Sequence, residues 1–400
     1  MGWGFVSHLA DRYDLDVIVE EEKFRAEIER WQAENPQHPA ALIHFHFIPK
    51  KRNRFLRKIW PPSYYWYYRR WHCQAAQLAR ELDQVRDFDL LHQLTMVGYR
   101  EPGYLWQQEK PFVWGPIGGA GFFPWRFLGS VGLYGAAYYL AYNFYNMVQL
   151  RLLGRARRAA ARAGKGLIAA TGENLDAARR YWRCDGYVLS EVGCSGKGGS
   201  RITRRESGEP LRILWSGRHT PGKGLNLALA ALAELPESVD WELHVLGQGR
   251  LTDKWQAQAG QLGITGRCCF HGWVARDEAL ALAAGSHVAL ITSLRDLTST
   301  VTIEAMEMGL PVIAPDHCGF ADAINEDCGI LVPVSRPKSL IKGFAQAVAH
   351  LEGDEMLRRR LALGALARAK KYSWSNKVER LASIYEVRLA ECEVPKRKVV

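Results

Sequence analysis

The sequence predicts an α/β protein built from two doubly wound parallel sheets that face each other across a cleft. Three observations carry this. Short apolar runs alternate with helical segments in both halves, which is the pattern of parallel sheets with helical crossovers. The 400 residues, 48% hydrophobic, suffice for two cores of about 200 residues each. A polar, Gly- and charge-rich stretch from Gly193 to Pro210 separates the halves.

In the first half the strands are expected at Leu15–Val19, Ala41–Phe47, Leu90–His92, Phe112–Trp114, Gly166–Ala170 and Tyr187–Leu189. Helices are expected at Glu21–Glu34 and His72–Gln84. In the second half the strands are expected at Arg212–Trp215, Glu242–Leu246, Cys268–His271, Val288–Ile291, Val312–Ala314 and Ile330–Val332. The implied units are residues 1–192, a linker 193–210, residues 211–372, and a closing helical segment 373–400. Ligands of such sheets bind beyond the carboxyl ends of the strands, here in the cleft between the units.

The most informative stretch is Asp296-Leu297-Thr298-Ser299-Thr300-Val301-Thr302-Ile303-Glu304. The following Ala305 to Ala314 reads as the rest of a helix, a Gly stop and a buried strand. Asp296 then falls on the loop before the helix and Glu304 about one turn inside it. The N–H groups around Ser299, Thr300 and Val301 are left for an anion such as phosphate. The carboxylates on either side suit hydroxyls, as ribose and a sugar offer. The plainer reading is a loop cap and a solvated helix residue.

A second segment, Leu211 to Gly224, reads as a strand, then a Gly-rich basic loop, then a helix from Leu225. Arg218 offers a planar fork for phosphate oxygens and Lys223 a point charge. The spacing fits neither the G-x-x-x-x-G-K-[ST] phosphate loop nor G-x-G-x-x-G.

Taken together, Gly217-Arg218…Lys223-Gly224, the acidic-x7-Glu segment and Gly309-Leu310-Pro311-Val312-Ile313 resemble the family 4 (group 1) retaining glycosyltransferases. These have the GT-B fold of two Rossmann-like domains. Pro111–Gly119 and Asp316–Asp322 further resemble the bacterial exopolysaccharide and cell-wall members. One departure is that the first acid of the pair is Glu in that family and the shorter Asp296 here.

The resemblance implies roles. Arg218 and Lys223 neutralise the departing diphosphate, Glu304 takes the ribose hydroxyls and Asp296 the donor sugar. Amides of Ser299–Val301 face sugar and phosphate, and Trp273 and Val274 lie beside the base. His92, at a strand end, is a candidate contact to donor sugar or acceptor, or a satisfied strand-end histidine. Gly118, Gly119 and Gly121, with Arg100 and Glu101, are candidates for the acceptor side. No D-x-D metal motif of the usual glycosyltransferase type stands out. No metal and no cofactor are therefore expected; the nucleotide sugar is a substrate. Two other readings stay open: a GT-B sugar-nucleotide epimerase, which lacks this acidic-x7-Glu pattern, and a nucleotide-binding or membrane-scaffold protein without turnover.

The net charge is +11, with 27 basic and 19 acidic side chains in residues 1–200 and 26 and 23 in the rest. Lys50, Lys51, Arg52, Arg54, Arg57 and Lys58 form one cluster, followed by Ile59 to Trp71, rich in Trp and Tyr. Arg151, Arg155, Arg157, Arg158, Arg162 and Lys165 form another. Such mixtures suit an anionic membrane surface rather than nucleic acid, although a solvated face would look the same. Phe127 to Leu150 holds no charge, but its Gly, Asn and Gln favour a buried or interface-lying helix over a span. Eight scattered cysteines without C-x-x-C, and a start without a basic and then apolar leader, predict a reduced cytoplasmic protein at the inner face of the plasma membrane. Its partners are expected to be a nucleotide diphosphate sugar and a glycan or lipid-linked acceptor.

One element is out of order. Residues 3–13 read as helix before the first strand, whereas doubly wound domains begin with a strand and a Gly-rich turn. Met1–Phe5 resembles the end of that turn, so a central first strand is expected ahead of Gly2, and the sheet is expected to show a gap.

Overall fold

The structure is a computed structural model that describes residues 2–50, 55, 59, 63–196 and 202–393. Its strands in chain order are β1 (Asp16–Glu20), β2 (His44–Ile48), β3 (Leu91–Gln93), β4 (Phe112–Ile117), β5 (Leu167–Ala169), β6 (Tyr187–Val188), β7 (Leu211–Ser216), β8 (Trp241–Leu246), β9 (Cys268–Gly272), β10 (Val288–Leu290), β11 (Val312–Asp316) and β12 (Gly329–Pro333). Each predicted strand is present within a few residues. The largest differences are three residues, at the start of β2, where Pro39–Leu42 forms a 3-10 turn and the strand starts only at His44, and at the end of β4, which runs on to Ile117.

The second sheet has the order β12-β11-β10-β7-β8-β9 and every pair is parallel. Its central strands are buried on both faces, so they read as apolar runs rather than alternations. Helices Leu225–Ala233 and Pro337–Gly353 cover one face. Helices Thr300–Glu307 and Glu355–Lys370 pack on the other.

The first unit differs from a continuous sheet. It consists of a parallel pair β1-β2 and a separate parallel piece β3-β4-β5-β6. A cavity of about 1160 Å³ lies between them, lined by β1, by β3 and by Gly2. The cavity thus lies between two strand edges, one of β1 and one of β3.

Phe127 to Leu150 forms a 3-10 stretch and the helix Gly132–Leu152. Its buried positions are Gly135, Tyr139, Asn143, Asn146 and Leu150, at helical spacing. The asparagines are buried because they bind backbone. Asn143 accepts from Phe123 N at 2.9 Å and donates to Phe123 O at 2.8 Å. Asn146 donates to Ala120 O and Gly121 O. No helix among the described residues is long and apolar enough to cross a membrane.

The closing helix, Trp374–Glu393, packs on the first unit: Val378, Leu381, Ile384 and Tyr385 share a core with Phe5, Val113 and Ile168. Lys377 on this helix is buried and donates to Ser190 O and, at 2.7 Å, to Ser190 Oγ. Burial lowers its pKa from the usual lysine range to about 7, against the pull of Glu191. The unfolded chain thus binds a proton that the native chain has released between pH about 7 and the ordinary lysine value. Stability gained from this residue rises with pH across that window and is lost as pH falls toward 7. Lys377→Met should flatten the rise in melting temperature over that range; an unchanged profile would mean that Lys377 stays protonated.

Candidate active site

The site is built where the loops after β7 and β10 meet. After β7 the chain makes a 3-10 turn, Pro221–Lys223, and then Gly224 at φ +67° starts the next helix. A Cβ at Gly224 would sit 2.4 Å from Thr292 O, so the loops approach as closely as backbone allows. They are also stitched by hydrogen bonds. Leu294 N donates to Gly222 O at 2.9 Å, and Thr292 Oγ1 donates to Lys223 O at 3.1 Å while accepting from Trp215 Nε1.

This stitching brings the two sequence motifs together. Lys223 Nζ lies 2.5 Å from Asp296 Oδ2, and both are partly buried. Asp296 N donates to Cys318 Sγ, and Leu297 N donates to Asp296 Oδ1 at 3.0 Å. Ser299 takes a left-handed conformation, φ +65°, just before the helix Thr300–Glu307. The N–H groups of Ser299, Thr300 and Val301 have no backbone partner among the described residues. Arg218 is exposed, and its guanidinium has no partner among the described residues. The loop after β7 thus carries a cation paired with Asp296 and an exposed arginine, and the loop after β10 carries that carboxylate and the amides of Ser299–Val301.

The other candidates lie as follows. Glu304 is paired with Arg276 at 3.0 Å, near the surface. Trp273 is 77% exposed, and Val274 packs against the core. Gly118 faces the donor-side loop: a Cβ there would meet Leu297 Cδ2 at 2.7 Å. Gly119 O accepts from Arg100 and from Tyr142 OH, and a Cβ on Gly121 would meet the Glu173 carboxylate. Arg100 is further held by Asn146 at 2.6 Å. Glu101 is buried and bound by Arg155 at 2.8 Å, which ties it to the fold of the first unit.

His92 is enclosed. Its Nδ1 lies 2.6 Å from Tyr385 OH and its Nε2 2.8 Å from Gly115 O, and burial lowers its pKa to about 4. The neutral ring uses both nitrogens to join the closing helix to the sheet, so neither is open to a sugar in this arrangement.

Three further residues tie the loops and units together. Glu191 accepts from Thr298 N at 3.2 Å and Thr298 Oγ1 at 2.8 Å, holding the donor-side loop from the first unit. Arg295 lies over the Tyr142 ring at 3.7 Å. Asp322 accepts from Gly172 N at 2.8 Å and is a second bond between units. Asp322 ends the Asp316–Asp322 segment noted in the sequence, Arg295 is hinted at only by its place beside Asp296, and Glu191 carries no signal.

Two triads place metal-capable atoms within 4.8 Å of one another among the described residues: Glu173, His317 and Cys318, and Glu242, His244 and Cys269. The first adjoins Asp296 through Cys318. The D-x-D spellings lie elsewhere. Asp14 and Asp16 are held by Arg86 at 2.6 and 3.1 Å, and Asp87 by Lys110 at 2.5 Å.

The profile of the family described as Glycosyl transferases group 1 matches residues 200–362, which contain both loops. In this second half the chain is thus similar to the group 1 glycosyltransferases. A D-inositol 3-phosphate glycosyltransferase of Corynebacterium efficiens is 30% identical over 209 residues, 49% of this chain and 48% of the relative. A lipopolysaccharide core biosynthesis glycosyltransferase, LpsE, of Rhizobium meliloti is 29% identical over 154 residues, 38% of this chain and 42% of that one. The chain thus aligns with about half the length, or less, of these curated relatives. HepE from Anabaena superposes with a TM-score of 0.59 at 15% identity, covering 96% of this chain and 94% of HepE. The lipopolysaccharide outer core galactosyltransferase WaaB gives 0.60 at 14% identity, covering 93% and 99%. These two likenesses show the GT-B fold over both units.

Proposed function

We propose that the chain transfers a glycosyl group from a nucleotide diphosphate sugar to a glycan or lipid-linked acceptor, with retention and without a metal. The observation that carries this is the Lys223–Asp296 pair, with the open amides of Ser299–Val301 on the same loop as Asp296 and the exposed Arg218 on the same loop as Lys223. The bond from the anomeric carbon to the phosphate oxygen breaks, and negative charge gathers on the leaving diphosphate. Fixed cations and amides there stabilise the transition state. The acceptor oxygen bonds the same face, and its proton passes to the departing phosphate. Asp296 holds the Lys223 ammonium in place until the donor arrives. HepE was solved with UDP, and with UDP and glucose, which makes a UDP-linked donor the first to try.

A thermal-shift screen of UDP-, GDP- and ADP-linked sugars, followed by turnover of the best, tests this. A donor at 100 times its Kd stabilises by about 2.7 kcal/mol. Stabilisation by none of them would sink the donor assignment. Turnover should persist in excess EDTA; loss on chelation and recovery with a divalent cation would place the leaving-group charge on a metal, with Glu173, His317 and Cys318 the first ligands to test.

A lipid surface is the second element of this reading, because one helix face favours it. On Gly132–Leu152 the outward residues include Leu133, Tyr134, Tyr138, Leu140, Phe144 and Tyr145, with no charge before Arg151. A solvated helix normally carries polar groups there. The basic clusters need correcting. Lys50 is buried with Glu20 at 3.3 Å and faces no membrane, and Lys51–Lys58 lie outside the described residues apart from Phe55. Arg155 and Arg162 are bound internally, to Glu101 and to backbone at 108–110. Arg151, Arg157, Arg158 and Lys165 remain exposed. Anionic vesicles should therefore bind more than neutral ones, and less as salt rises, at about 1 kcal/mol per basic residue. Leu133→Asp with Phe144→Asp should release the protein. Equal binding of that variant, or stronger competition by duplex nucleic acid, would remove the membrane from the proposal.

A further inference from the structure

Two matching tripeptides, Glu242-Leu243-His244 and Cys269-Phe270-His271, lie on the neighbouring strands β8 and β9. Strand β9 is the edge of its sheet. Side chains alternate along a strand, so Glu242 and His244 share one face of β8. The strands are parallel and His244 is paired with Cys269, which puts the thiol on that same face. Leu243, Val245, Cys268 and Phe270 point the other way and pack in the core. Glu242, His244, Cys269 and His271 are half-buried.

One ligand atom each of Glu242, His244 and Cys269 lies within 4.8 Å of the other two. His244 Nε2 is 3.7 Å from Glu242 Oε2, and Cys269 Sγ is 3.2 Å from Glu242 Oε1. Ligands held about 2.0–2.3 Å from one tetrahedral zinc ion stand about 3–4 Å apart. His244 Nε2 is buried and has no hydrogen-bond partner among the described residues. A buried polar atom left so is costly, and a metal ion would satisfy it. The other ring nitrogen, Nδ1, lies 3.0 Å from His271 Nε2, with the two rings stacked at 5.3 Å. A metal-binding histidine gives its second ring N–H to a neighbouring acceptor, which fixes the tautomer and the ring's orientation. His271 is placed to be that acceptor.

We propose that Glu242, His244 and Cys269 form a site for a zinc-like divalent cation, with His271 positioning His244. Imidazole, thiolate and carboxylate together suit zinc, whereas magnesium and calcium take oxygen ligands. As the metal–sulfur bond forms, the thiol proton that Cys269 gives to Glu242 leaves to solvent. Both strands supply ligands, so the ion ties the edge strand to β8. Strand β9 runs into the exposed Trp273, so the ion also anchors the start of that loop. The site is separate from Glu173, His317 and Cys318, and it stands whether or not the donor reading holds.

The test titrates the full chain, stripped with EDTA, with zinc against a chromophoric chelator and separately with cobalt(II). One equivalent should bind, the cobalt complex should show a thiolate-to-metal charge-transfer band, and zinc should raise the melting temperature. Glu242→Gln, His244→Ala and Cys269→Ser should each weaken zinc binding by about a hundredfold or more, and Cys269→Ser should abolish the band. His271→Ala should weaken binding about 10–100-fold and keep the band, as loss of a positioning group does. His317→Ala and the exposed Cys392→Ser should change neither. The unsubstituted chain's cobalt spectrum decides the cysteine ligand even where a variant fails to fold. No binding at micromolar metal, or a cobalt spectrum without the thiolate band, would overturn the proposal. So would binding that is lost in His317→Ala and kept in Cys269→Ser. Undiminished affinity in His271→Ala would strike His271 from the positioning role.

Discussion

Arg218→Ala should lower kcat by about a hundredfold or more and leave the melting temperature unchanged. Arg218 is exposed and has no partner among the described residues, so the fold loses nothing when it goes. Removing one group that stabilises developing charge typically costs 10²–10³ in rate. Lys223→Ala should cost turnover similarly, with a different stability signature. It leaves Asp296 partly buried without its cation at 2.5 Å, so a small fall in melting temperature accompanies the loss. Adding Asp296→Ala should restore the melting temperature without restoring turnover. Near-normal turnover in Arg218→Ala or Lys223→Ala would remove the diphosphate from this loop. A double variant no more stable than Lys223→Ala would mean that the pair contributes nothing to the fold.

Gly319→Ala should also cost about a hundredfold in kcat, although residue 319 need touch no substrate. A Cβ there would lie 2.6 Å from Leu297 O and 2.7 Å from Thr298 Cα, and backbone cannot rotate away as a side-chain tip can. Gly319 N also donates to Leu297 O at 3.0 Å, so this contact sets the height of the Asp296 loop. Displacing a positioned group by about 1 Å costs on the order of 10²-fold. The comparison is Gly266→Ala, where an added Cβ meets nothing within 4 Å. Equal activity in both would show that the Asp296 loop tolerates the shift and that its placement is not what sets the rate.

The strands were legible because a parallel strand buried on both faces leaves an unbroken apolar run, as in Val312-Ile313-Ala314. The helix start at Thr300 was legible for a similar local reason: the loop before it and the Gly309 stop after it bracket eight residues. Local signal failed where a residue's partner is remote. Lys377 carries no local sign of burial, yet it lies buried against Ser190. Lys50 reads as part of a basic cluster, and Glu20 buries it. His92 reads either as a sugar contact or as a satisfied strand-end histidine, and its partner Tyr385 lies 293 residues on, out of reach of any local signal.

The sequence by itself determined the two sets of parallel strands, the basic loop after β7, and the acidic loop and helix start after β10. Each of these follows from backbone needs within a few residues: an apolar run, a glycine at positive φ, an open helix end. Only the tertiary structure decided that Lys223 meets Asp296, that Glu191 holds Thr298 across the units, and that β1 and β3 face each other across an open slot. Those outcomes depend on distances between segments tens to hundreds of residues apart. Side-chain charge and polarity fix what each group needs; the packing of helices and sheets fixes which partner is within reach.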